Sequence, residues 1–80
     1  MSSELDRIRE IAADVFDVDV KEINLESTPA TVENWDSITH LNFVVALEQA
    51  FGLAIEPEES ERMSKGIAPT LAIVSAKLGG

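Results

Sequence analysis

Residues 34–52 read NWDSITHLNFVVALEQAFG, and this stretch decides the fold. Asp36 is a natural helix N-cap, its carboxylate suited to accept the unpaired amides of a first turn. Ser37 then becomes the first helical residue, and Gly52 is placed to end the helix after Phe51. On a wheel of about 100° per residue, His40, Phe43, Val44, Leu47, Ala50 and Phe51 fall within one arc of roughly 120°, wide enough for a core face. Ile38, Leu41 and Val45 fall on a second arc, bordered by Glu48 on one side and by Asn42 and Gln49 on the other. One stripe packs a core and the other is surplus. A surplus apolar stripe rimmed by polar residues is either a second packing face of a central helix or a surface for a protein partner.

Outward from this helix, periodicity predicts three more. In SELDRIREIAADVF, Ser3 is an N-cap, and Leu5, Ile8, Ala12 and Val15, flanked by Ile11 and Phe16, form one apolar stripe over residues 4–16. Arg7, Arg9, Glu10 and Asp14 take the other side. Residues 17–35 carry no helical stripe. Val20, Ile23 and Leu25 read as pins holding a long connection, with room for a helical turn near residues 21–24. Pro57, followed by Glu58 and Glu59, starts a short third helix ending near Met63. Pro69 starts the last helix, with Leu71, Val74 and Leu78 inward and Gly79 as its stop. The expected fold is all-α: one domain over residues 1–80, a small four-helix bundle with a long loop between helices 1 and 2 and a short helix 3.

Bulk composition narrows the function. The 80 residues contain no cysteine and one histidine, which excludes disulfides and thiolate metal sites and disfavours a histidine-based one. A chain of this size buries only about 60% of its unfolded surface, leaving little room for a deep active site. Fifteen Asp and Glu against six Lys and Arg give a formal charge of -9. Such a surface repels nucleic acid and anionic membranes, and favours protein partners with basic patches. No apolar run approaches the roughly 18 residues of a membrane span, and no leader pattern opens the chain, so a cytoplasmic location is expected.

Three other chemistries fail on their own terms. Asp36, Ser37 and His40 are spaced too locally for a catalytic triad and bring no oxyanion donor. DVDVKE begins like a calcium loop, but Lys21 replaces an oxygen ligand and the required glycine is absent. Gly79-Gly80 is like a conjugation tail, but no strand pattern accompanies it.

The stretch WDSITHLNFVVALEQAFGLAI resembles the signature of acyl carrier proteins, Asp-Ser-Leu/Ile followed by an amphipathic helix and a Phe-Gly stop. With the acidic composition and the helix order, the resemblance covers nearly the whole chain. It implies a carrier, not an enzyme, with 4′-phosphopantetheine attached covalently to Ser37 and an acyl or aminoacyl group held as a thioester on the arm. It implies that Asp36 supports modification, and that Ile38, Leu41, Val45 and Glu48 dock partners. Those partners would be a phosphopantetheinyl transferase, an acyl- or aminoacyl-activating enzyme, and an acyltransferase or condensing enzyme, met by a monomer. Asn34 and Trp35 precede Asp36 where many fatty-acid carriers have a glycine. Thr39, Asn42 and Gln49 stand where those carriers often have carboxylates. The chain is thus more similar to stand-alone carriers with a WDS motif. The alternative is an acidic helical interaction module without a prosthetic group.

Overall fold

The computed structural model describes residues 3–79 and contains helices α1 (Glu4–Phe16), α2 (Ser37–Phe51), α3 (Pro57–Met63) and α4 (Ile67–Lys77), with a 3-10 turn over Val20–Glu22. Gly80 lies outside the described residues. The architecture is the expected all-α bundle. No helix of the described residues is long and apolar enough to cross a membrane.

Helix α1 is the central packing partner, lying against both α2 and α4, while α3 lies along α4. It begins where Ser3 accepts the Asp6 amide at 3.2 Å and buries Ile8, Ala12 and Phe16. From α2 the core takes Phe43, Val44 and Leu47, with Met63, Ile67 and Val74 closing it from below. Phe16, Trp35 and Phe43 form an aromatic centre, Phe16 stacked on Trp35 at 4.8 Å and Trp35 edge-on to Phe43 at 5.7 Å.

The long connection is pinned differently from the sequence expectation. Ile23 is buried, but Val20 and Leu25 are exposed, and the other anchors are Ser27, Val32 and Trp35. Arg9, assigned to the solvent side, in fact reaches across to the loop. Its Nε donates to the Ile23 carbonyl at 2.6 Å and its Nη2 to the Val20 carbonyl at 3.1 Å. A guanidinium fork satisfies two loop carbonyls at once, which two apolar pins cannot do. Farther on, the Asn34 side-chain amide donates to the Phe16 carbonyl at 2.6 Å, covering an otherwise unpaired acceptor at the end of α1.

Helix α4 begins at Ile67, two residues before the Pro69 start expected from sequence. Pro69 is its third residue, where an amide would have no intrahelical acceptor, so the missing N–H costs nothing. The amide of Ile67 is instead taken by the Ser27 carbonyl at 3.0 Å. The earlier start extends the buried face back to Ile67, with Thr70 and Val74 on the same stripe. Leu71 is half-buried and packs against the core as expected, whereas Leu78 is exposed, contrary to the expectation that it points inward. Gly66 makes the approach to the loop at φ 147°, where an added Cβ would lie 2.8 Å from the Ser27 oxygen.

Candidate functional site

The mouth of α2 is built by a reciprocal cap. Asp36 Oδ1 accepts the Ile38 and Thr39 amides at 3.0 and 2.9 Å, and the Asp36 amide donates back to Thr39 Oγ1 at 2.8 Å. The Thr39 hydroxyl in turn donates to the Asn34 carbonyl at 2.6 Å, fastening the loop to the helix start. The Thr39 amide, joined by the Ile38 amide, holds the Asp36 carboxyl below its ordinary range despite some desolvation. It is therefore ionised at neutral pH.

Ser37 is the first residue of α2 and is exposed. Among the described residues its hydroxyl has no hydrogen-bond partner. Two of the first-turn amides belong to Asp36, so this helix mouth tolerates an anion on Ser37 more than it grips one. An ester made there stays at the surface, anchored to a rigid helix.

Ile38, Leu41 and Val45 are 73%, 62% and 49% exposed, so the second stripe of α2 is a free surface and not a packing face. Glu48, at its border, is half-buried, and its Oε2 accepts the Ile55 amide at 2.8 Å. That carboxylate therefore organises the turn into α3, a role the wheel did not suggest. Between α2 and α3 runs an open groove of about 780 Å³, with Ser37 at its rim and Leu41, Val44, Ile55 and Pro57 among its walls.

His40 closes the inner side of this groove. Trp35 Nε1 donates to His40 Nδ1 at 3.1 Å, and His40 Nε2 lies 2.8 Å from the Ser60 carbonyl. An indole nitrogen can only donate, so Nδ1 is the acceptor and Nε2 carries the proton given to Ser60. With both ring nitrogens occupied, His40 is not positioned as a base toward Ser37, and a triad is ruled out on geometry. Trp35 itself went unassigned in the sequence. A lone tryptophan three residues after an apolar Val32, in an otherwise polar loop, was the available sign of a pin. In the stretch that begins like a calcium loop, Asp19 caps the 3-10 turn by accepting the Lys21 amide at 2.9 Å. No group of metal-ligating side chains occurs among the described residues.

Residues 6–61 match the family model described as "Phosphopantetheine attachment site". The chain is 31% identical to an acyl carrier protein of Thermosynechococcus vestitus over 74 residues, covering 92% of this chain and 90% of that protein. It is 35% identical over 60 residues to an acyl carrier protein of Rubrobacter xylanophilus, covering 75% and 74%. It is 32% identical over 71 residues to the acyl carrier protein AcpXL of Brucella melitensis, covering 88% and 76%. An exposed serine at a capped helix mouth, an adjoining unpartnered apolar stripe and a match over most of the chain agree. The chain belongs to the acyl carrier protein family, phosphopantetheine-bearing carriers that serve biosynthetic enzymes and are not enzymes themselves.

Proposed function

We propose that Ser37 is the residue that bears 4′-phosphopantetheine, and that Ile38, Leu41 and Val45 form the surface by which partner enzymes reach it. The observation that carries this reading is the exposed Ser37 hydroxyl, without an internal partner, on the first turn of a rigid helix. Attachment would form one O–P bond at Ser37 Oγ and break the pyrophosphate of coenzyme A. The adenosine nucleotide would leave and the hydroxyl proton would be lost to solvent. When bound, the group supplies a terminal thiol that holds an acyl or aminoacyl cargo as a thioester.

Each neighbouring residue has a part. Asp36 keeps Ser37 at the helix mouth and presents an ionised carboxylate beside it, available to a magnesium ion brought by the transferase. Because the Ile38 and Thr39 amides are already taken by Asp36, the phosphodiester is not gripped by the helix, and the arm is free to leave the surface. Ile38 and Leu41 lie beside the attachment point, so an enzyme that covers them brings its own site to the arm. The partners are a phosphopantetheinyl transferase, an activating enzyme and an acyltransferase or condensing enzyme, each bound in turn by a monomeric carrier in the cytoplasm. A tethered cargo gains effective concentration at each of them only if docking is brief.

The test is the intact mass after incubation with coenzyme A, magnesium and a broad-specificity phosphopantetheinyl transferase. The expected result is a gain of one phosphopantetheinyl group, absent from Ser37→Ala. A gain that persists in Ser37→Ala would place the arm elsewhere and overturn the assignment.

A further inference from the structure

Helix α3 lies along α4 and stands off from α2 across the open groove. His40 bridges the gap. It is buried, and its Nε2–H donates to the carbonyl of Ser60 on α3 at 2.8 Å while its Nδ1 accepts from Trp35 at 3.1 Å. Trp35 is in turn stacked on Phe16, and the His40 ring packs on Phe43 with centroids 6.5 Å apart. The strap therefore runs from the α1 core, through the residue next to Asp36, into α2 and across to α3.

We infer that His40 is a specificity-determining residue: by strapping α2 to α3 it keeps the cargo in the open groove and out of the bundle interior, fitting this carrier to short or polar acyl groups. This rests on the assignment of the arm to Ser37. An apolar chain passing inward between α2 and α3 must part His40 from Ser60. The Ser60 carbonyl would keep its helical partner, the Ser64 amide. The His40 Nε2–H would be left beside hydrocarbon that cannot accept it, which is the costly outcome for a buried donor. Behind the ring, Phe43, Leu47 and Met63 are fully buried, so an entering chain must also displace close-packed side chains. A short acyl group, or one bearing hydroxyl or amino groups, lies in the groove without either penalty. There it meets apolar walls at Leu41 and Val44 and polar atoms of Ser60 and Ser64.

The experiment loads the full chain with acetyl-pantetheine or octanoyl-pantetheine from the matching acyl coenzyme A and reads two signals. One is the emission of Trp35, the only tryptophan of the chain; the other is amide hydrogen exchange across α3. In the wild type the two loaded forms should give the same emission, and α3 exchange rates within about twofold of each other. In His40→Ala the octanoyl form alone should slow α3 exchange, by about tenfold, and shift Trp35 emission. Trp35→Phe keeps an aromatic ring but removes the donor that fixes the histidine tautomer. Read by exchange alone, it should move in the same direction, and it decides the matter if His40→Ala does not fold. Extra α3 protection with octanoyl on the wild type, or no difference in either folded variant, would overturn the inference. Failure of the arm to attach would show in the mass spectrum before any cargo is compared, and would refute the Ser37 assignment and this inference with it.

Discussion

The Asp36 carboxylate accepts two first-turn amides, so Asp36→Ala should destabilise the protein by about 0.5–2 kcal/mol, read from urea denaturation. Asp36→Asn should be nearly neutral at pH 7, because asparagine caps about as well. Wild type and Asp36→Asn separate when acid is added. The folded carboxyls of Asp36 and Glu59 lie below their ordinary values of 3.8 and 4.5, Asp36 chiefly through the Thr39 amide and Glu59 chiefly through Lys77. The folded state thus binds fewer protons than the unfolded chain in this range. The stability these groups contribute is complete above the ordinary values and is lost as pH falls through the depressed ones. Acidification also relieves the repulsion of a chain carrying -9, so the informative quantity is the difference between wild type and Asp36→Asn. That difference, near zero at pH 7, should open in favour of Asp36→Asn as pH is lowered below about 4, because only the wild type loses a carboxylate cap there; a constant difference would contradict the role given to Asp36. Asp36 and Ser37 were legible in the sequence because a cap is a local device. Arg9, Asn34 and His40 were not, because their partners lie 14, 18 and 20 residues away and helix periodicity says nothing of such pairs.

Helix α2 carries two faces that answer differently to substitution. Leu41 is mostly exposed, so Leu41→Ser should leave stability within about 0.5 kcal/mol of wild type. If Leu41 docks partners, the same change should weaken binding of the transferase by more than about 1 kcal/mol, read as a rise in KM for the carrier. Unchanged KM would remove Leu41 from the docking surface. The start of α4 makes the opposite case. A Cβ at Gly66 would press on the Ser27 oxygen, from a backbone conformation that L residues rarely adopt. Gly66→Ala should therefore destabilise by about 1–3 kcal/mol and speed amide exchange at Ile67, although no ligand is near. The bounds of α1, α2 and α3 could be read from caps and stripes. The start of α4 could not, because Pro69 signals a first turn without saying which of its positions it fills, and the Ser27 contact that settles it is tertiary.

Across the whole molecule, charge and apolar surface are divided between elements. Helix α2 has one carboxylate, Glu48, and that group is committed to the Ile55 amide, whereas α3 exposes Glu58 and Glu61. Basic partners should therefore be steered by α3 and the overall charge while binding energy comes from the α2 stripe. Raising salt should slow association more than it speeds dissociation, measured by stopped-flow against a partner enzyme. The family match leaves no place for an interaction module without a prosthetic group, and what remains to be located is the arm. The most direct measurement is fragmentation of the tryptic peptide spanning residues 22–62 after the transferase reaction. That peptide also contains the hydroxyls of Ser27, Thr28, Thr31, Thr39 and Ser60. The structure commits Ser27, Thr31 and Thr39 to internal hydrogen bonds and leaves Ser37 free. Fragment masses should place one phosphopantetheinyl group on Ser37; the group on any other of these hydroxyls, or no modified peptide, would contradict the account.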